Sequence, residues 1–442
     1  MSKYFGVSAY DLGRAIDQGT LDPVELSEAY LSAIAENPHS DRIYTMATPD
    51  RARAEARAAK ERAKSGFRLS PLDGVPLSWK DLFDTAGYKT EAGTALLKGR
   101  VPEQDAKCLQ AATAAGLVCI GKTHMSELAF SGLGLNPVTA TPPNVNFEHA
   151  VPGGSSSGAA ASVAFELAPA AIGSDTGGSV RIPAAWNDLV GLKTTAGLVS
   201  LEGVVPLCAR FDTVGPLSKT VEDAAYLHAA LLGQGPFDLK GASLSDFKLA
   251  ILKDDILSET REAPGAAFED SVARLSRKGA HLSEVSIGFL SHATSQSSIL
   301  FNSEAYGTWK TEIEAAPEVM FHEILTRFRG GAEVKAADFV AEWQNLERLR
   351  KVYQELTRGF DAVLCPTAPI LPPNAERLLT DNDYYVTENL LALRHTRIAN
   401  LMGLCATTLP TGDASCGLMA LAAPLQERNL LRLSYALEAA LS

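Results

Sequence analysis

The sequence of 442 residues predicts an α/β fold, and three observations carry that expectation. Between residues 67 and 235 short apolar runs alternate with helical stretches. A second strand–helix–strand pattern follows, with strands at Phe247–Leu252 and Ala280–Val285. The helix that opens after Ser157 consists of small residues, suited to close packing on a sheet.

Taken in order, residues 8–65 read as helices, with Ser8 or Asp22 as N-caps and an Ala/Arg/Glu-rich stretch from Asp50 to Lys64. A turn at Asp73-Gly74 opens the alternation of Val75, Leu77 and Trp79, which predicts a strand. A helix over Ala106–Ala115, a strand at Leu117–Ile120, the helix after Ser157, a strand at Ala170–Gly173 and a helix over Val221–Leu232 complete the central region. Residues 289–350 read as largely helical, broken at Pro317 and Gly330-Gly331, and are expected to form a variable layer over the pocket. Asp361–Cys365 and Ala406–Leu409 add strands, and no internal repeat is present.

Composition narrows the function. With 46% hydrophobic and 21% charged residues the chain can bury a large core. A net charge of −12, and no basic cluster stronger than Arg51-Ala52-Arg53-Ala54-Glu55-Ala56-Arg57, argue against nucleic acid as a partner. No apolar run of about 18 residues occurs, and Met1 to Ser8 lacks the apolar core of a leader, so a cytoplasmic protein without membrane contact is expected. Cys108, Cys119, Cys208, Cys365, Cys405 and Cys416 show neither CxxC pairs nor metal-ligand spacing and read as reduced, buried thiols. No metal and no cofactor is expected.

The chemistry concentrates in one Gly/Ser-rich block from Gly153-Gly154-Ser155-Ser156-Ser157-Gly158 to Asp175-Thr176-Gly177-Gly178-Ser179-Val180-Arg181. Glycine and serine add little apolar area and glycine costs backbone entropy, so core packing does not explain the block. Thr176-Gly177-Gly178-Ser179 offers consecutive bare N–H groups ending in a hydroxyl, which suits a nucleophile beside an oxyanion hole. Such a serine needs a base. The eight histidines are scattered without an acid–base pattern. Lys80, on the strand after Val75 and on the face of Pro76 and Ser78, is the better candidate, because burial lowers a lysine pKa and frees its lone pair.

Together these residues resemble the amidase signature family of serine hydrolases, closely over residues 67–235 and more weakly toward both ends. The glycine/serine signature is met from Gly153 to Pro183, and the lysine motif by Gly74-Val75-Pro76 followed by Lys80-Asp81. The resemblance implies one large α/β/α layered domain over residues 1–442 with a mixed central sheet. Within it, 1–65 would be a helical N-terminal layer, 67–235 the catalytic core, and 236–442 would complete sheet and pocket. It implies Ser179 as nucleophile, Lys80 as base, and Ser155, held by a cis peptide bond, as the bridge between them. The N–H groups of Thr176, Gly177, Gly178 and Ser179 would surround the oxyanion, Asp175 and Arg181 would tie the nucleophile loop, and Ala129 would line the acyl site.

The implied activity is hydrolysis of the C–N bond of a small, apolar or aromatic linear amide through an acyl-serine, without a partner protein, whether or not the chain forms a homodimer. Two alternatives stand beside it: a glutaminase resembling the glutamyl-tRNA amidotransferase A subunit, and a hydrolase of urea- or carbamate-type substrates. The former is disfavoured because Ile324-Leu325-Thr326-Arg327-Phe328-Arg329-Gly330-Gly331 departs from the Arg-Arg-Ile-Met-Leu-Gly type segment of that protein. Two further patterns read as coincidences. Gly116 to Thr123 matches GxxxxGK[ST], but the strand-like residues lie inside the motif rather than before it. Gly154-Ser155-Ser156-Ser157-Gly158 matches GxSxG around Ser156 but lacks a preceding buried strand.

Overall fold

Eleven strands join one mixed sheet in the computed structural model, which describes residues 4–442. Residues 1–3, part of the N-terminal stretch read above for a leader, lie outside the described residues. The strands are β1 Tyr44–Ala47, β2 Pro76–Lys80, β3 Val118–Thr123, β4 Ala170–Ser174, β5 Val190–Lys193, β6 Val214–Ser218, β7 Lys248–Leu252, β8 His281–Val285, β9 Ala362–Pro366, β10 Cys405–Pro410 and β11 Gly417–Ala422. Their order is β1-β3-β2-β4-β6-β5-β10-β11-β9-β7-β8. β2 runs parallel to both β3 and β4, and β7 runs parallel to β8 and β9. The remaining pairs are antiparallel.

Period-two alternation distributes helices over both faces. Along β10, Cys405 and Leu409 join a core with Leu430, Leu433 and Leu437 of the helix Glu427–Leu441 and with the helix Val221–Leu231. On the opposite face Ala159, Ala160 and Val163 of the helix Ser157–Ala164 pack with Val180, Ala184 and Leu217. Small residues are required there. A Cβ on Gly158 would lie 2.5 Å from the Ile43 carbonyl oxygen, and one on Gly191 of β5 would lie 2.8 Å from Ala184 Cβ.

Seven of the strands lie where alternation placed them, and β7 and β8 flank the helix Glu262–Arg277 as a βαβ unit. Helices Leu290–Ala315, His322–Arg329 and Ala336–Thr357 are separated at Pro317 and Gly330-Gly331. Four strands were not anticipated. β1 interrupts the segment read as wholly helical: Tyr44–Ala47 is only partly buried and pairs with β3 at the sheet edge. β5, β6 and β11 contain Gly191, Gly215-Pro216 and Gly417, which read as turn residues until the sheet contacts that demand them are known. At Gly215 a Cβ would fall 1.8 Å from the Leu192 carbonyl oxygen.

Candidate active site

Parallel pairing of β2 with β4 brings the C-terminal ends of both strands to one edge of the sheet. Lys80 ends β2 and Ser174 ends β4. The turn before the helix Ser157–Ala164 supplies Ser155, whose peptide bond to Gly154 is cis. Ser78 Oγ and Ser162 Oγ are 2.7 Å apart, so this helix lies on the β2 face that also carries Lys80.

Lys80 is fully buried, and its Nζ donates to Ser155 Oγ at 2.6 Å and to Ser174 Oγ at 2.8 Å. Burial pushes its pKa down to about 7, although the charges of Asp175 and Asp212 oppose the shift. The amine is therefore partly neutral near neutral pH, a state in which it can take a proton from the hydroxyl beside it. Ser174 was not foreseen as a partner of this lysine.

Ser179 follows directly. The Ser156 N–H donates to the Ser179 carbonyl at 3.2 Å, which holds the Ser155 turn against the nucleophile loop. Ser179 is 3% exposed and lines a cavity of about 310 Å³ together with Thr176, Gly177, Ala129, Phe130, Leu207 and Arg397 among others. Among the described residues the N–H groups of Thr176, Gly177 and Ser179 have no protein acceptor, whereas Gly178 N–H donates to Asp175 Oδ1 at 2.8 Å. Three donors of the expected four are thus free. Gly178 serves the backbone path instead: its φ is +139°, and a Cβ there would lie 2.2 Å from Thr396 Oγ1. The Thr396 hydroxyl in turn donates to the Gly177 carbonyl at 2.7 Å.

Asp175 and Arg181 form a buried bidentate pair at 2.9 and 3.0 Å. Burial alone would raise the Asp175 pKa, but Arg181 and the N–H groups of Gly178 and Val180 hold it well below the usual carboxylate range. Arg181 also donates to the Thr396 carbonyl at 2.7 Å and to Asn400 Oδ1 at 2.7 Å, fastening the loop to the C-terminal part of the chain.

The cavity walls come from distant segments. Glu127 accepts from Thr94 Oγ1 at 2.8 Å and from Phe321 N–H at 2.9 Å, fixing the turn that presents Ala129 and Phe130. Leu128, which shares that turn, is buried behind the wall. Asp212, absent from the sequence reading, accepts from Thr176 Oγ1 at 2.5 Å and Leu207 N–H at 2.9 Å, pinning two walls at once. Arg327 and Arg397 also line the cavity. Of these walls the sequence offered only Ala129 for the acyl site, and an apolar or aromatic substrate did not anticipate two arginines in the lining. No local pattern marks these arginines, which arrive through tertiary folding from segments some two hundred residues away.

The remaining patterns are structural. No histidine lines the cavity. Ser156 Oγ donates to the Ser174 carbonyl at 3.2 Å and accepts from Ser174 N–H at 3.3 Å, so it is tied to β4 rather than presented. In the GxxxxGK[ST] stretch Lys122 is buried on β3 and paired with Asp81 at 2.9 Å, and Gly116 packs against Asp73. All six cysteines are free and buried. Among the described residues no helix is long and apolar enough to cross a membrane.

The Amidase family model matches residues 25–431. The A subunit of glutamyl-tRNA(Gln) amidotransferase from Acidothermus cellulolyticus is 33% identical, over 100% of this chain and 95% of the relative. The 2-amino-5-chloromuconic acid deaminase of Comamonas testosteroni is 34% identical, over 88% and 86%. A solved amidase structure superposes with a TM-score of 0.87 at 29% identity, covering 99% of this chain and 100% of the other. The chain belongs to the amidase signature family of amidohydrolases acting on C–N bonds.

Proposed function

We propose that this protein hydrolyses a small linear amide through an acyl-serine formed on Ser179, with Ser155 as proton relay and Lys80 as base. The observation that carries the reading is the buried contact of 2.6 Å between Lys80 Nζ and Ser155 Oγ, at a lysine whose pKa lies near 7. A hydroxyl both donates and accepts, so Ser155, already joined to Lys80 Nζ, passes a proton from Ser179 Oγ to that amine once the unpartnered Ser179 hydroxyl turns to it as it attacks the carbonyl carbon. The oxyanion is received by the N–H groups of Thr176, Gly177 and Ser179, each worth about 3–4 kcal/mol where such a donor is essential. Collapse breaks the C–N bond, the proton returns through Ser155 to the departing amine, and water then cleaves the acyl ester by the same relay. The apolar walls Ala129, Phe130, Leu207, Phe301 and Leu393 favour an apolar or aromatic stem.

The relatedness to amidotransferase subunits supports a second reading, a glutaminase that releases ammonia for a partner protein. One screen separates the two. The purified chain is assayed alone against aliphatic and aryl amides, ureas, carbamates and glutamine, beside Ser179→Ala. Turnover of simple amides that Ser179→Ala abolishes supports the first reading. Glutamine hydrolysis that needs an added partner, with no turnover of simple amides, refutes it.

A further inference from the structure

The cavity in front of Ser179 contains positive charge that the hydrolytic steps do not use. Arg397 is 7% exposed, and among the described residues its guanidinium has neither a hydrogen-bond acceptor nor an ion-pair partner. It flanks the oxyanion loop: a Cβ built on Gly177 would lie 4.0 Å from Arg397 Nε. Arg327 stands beside it. Its Nη1 donates to the Phe130 carbonyl at 2.8 Å and its guanidinium lies 4.2 Å over the Phe130 ring, so it is oriented without being neutralised. The cavity lining contains no Asp or Glu. The adjoining cavity of about 680 Å³, which shares Phe301, Arg327 and Arg397, adds Glu323, which pairs with neither arginine.

Burial disfavours the Arg397 charge and the neighbouring Arg327 charge disfavours it further. Buried charges in folded proteins are paired, and a guanidinium left without an acid is destabilising. Every other buried arginine or lysine of the site has found its acceptors: Arg181 in Asp175 and Asn400, Lys80 in Ser155 and Ser174. At Arg397 the missing acceptor faces the space where substrate must sit. We propose that the substrate is an amide that also carries a carboxylate, received by Arg397 with Arg327 beside it while Ser179 faces the amide carbonyl. A carboxylate is planar and matches the guanidinium fork. The inference rests on the proposed amidase reading and adds the anionic group to its apolar stem.

The test uses the purified full chain and matched pairs of amides. Succinamic acid is compared with levulinamide, in which a methyl ketone replaces the carboxylate, and N-butyrylglycine with N-propylbutyramide. These pairs place the carboxylate on the acyl or the amine side. At least one acid is expected to exceed its neutral counterpart in kcat/KM by ~100-fold, and Arg397→Met to collapse that ratio to below about fivefold, with Arg397→Lys between. Ratios near one in the wild type, or a preference that survives in Arg397→Met, overturn the proposal.

Calorimetric titration of the wild type and Arg397→Met with succinate and butyrate gives a second readout that does not depend on turnover. Carboxylate binding that weakens about tenfold or more in Arg397→Met supports the site, and failure of both acids to bind at millimolar concentration overturns it. Failure of the amidase reading shows differently, as hydrolysis that persists in Ser179→Ala, or as glutamine turnover only with an added partner and none of the simple amides. The melting temperature of Arg397→Met is expected to hold or rise, since no native partner is orphaned, so loss of preference cannot be ascribed to unfolding.

Discussion

Replacing Lys80 with methionine separates the catalytic from the structural consequences of burying that amine. In the unfolded chain a lysine titrates near 10.5, and in the folded protein burial brings Lys80 to about 7. Below pH 7 both states hold the proton, and the folded state bears the full cost of the buried charge. As pH rises from 7 toward 10.5 the folded protein releases its proton first, so wild-type stability increases by about 1.4 kcal/mol per pH unit. At pH 7 this amounts to a destabilisation on the order of 4 kcal/mol, which the uncharged methionine side chain would not incur.

The substitution also orphans the hydroxyls of Ser155 and Ser174, costing about 1–3 kcal/mol each, but that loss does not vary with pH. The pH-dependent part is therefore the readout. Urea unfolding of Lys80→Met and wild type at pH 6, 7, 8 and 9 should show the difference, variant minus wild type, shrinking by about 2 kcal/mol between pH 7 and 9. Wild-type kcat/KM should rise through the same interval as the amine becomes neutral, and the variant should lose about 10²–10⁴-fold with that limb flattened. A stability difference independent of pH would refute the assignment of a depressed pKa to Lys80, and an unchanged pH–rate limb in the variant would refute its role as base.

Other substitutions test the neighbouring parts. Ser179→Ala should lower kcat by at least about 10³-fold while the thermal midpoint stays within about 1 °C, because the Ser179 hydroxyl has no protein partner to lose. Arg181→Met should destabilise by about 3–5 kcal/mol in denaturant titration, since it leaves Asp175 buried without its guanidinium. Gly178→Ala should destabilise by roughly 2 kcal/mol or more and abolish turnover, given its φ of +139° and the Thr396 hydroxyl 2.2 Å from the added methyl. Gly177→Ala, whose nearest neighbour would be 3.6 Å away, should fold normally by the same assay.

What the sequence made legible was local. Lys80 follows a strand whose alternation is plain, Asp175 and Arg181 are six positions apart and pair directly, and bare backbone at Thr176 to Ser179 has no packing rationale. The resemblance joined these pieces across nearly a hundred residues, which no short-range pattern could do. Residues recruited over long distances stayed hidden. Asp212 reads as one acid among many until it is found gripping Thr176 and Leu207. Arg327 lies in a segment noticed only for what it lacked, and Arg397 opens the helix Arg397–Met402 in a stretch without any motif. Three of the four missed strands have the same cause, for Gly191, Gly215 and Gly417 are glycines because a neighbouring element occupies the Cβ position. That reason exists only in three dimensions.

Covalent trapping tests the central claim most directly. The protein is mixed with a reactive amide from the screen, quenched in acid within the first turnovers, digested and mapped by mass spectrometry. The account predicts the acyl mass on the peptide bearing Ser179, localised to that residue and absent in Ser179→Ala. Acylation of Ser156 or Ser155 instead, or sustained hydrolysis by Ser179→Ala, would contradict it.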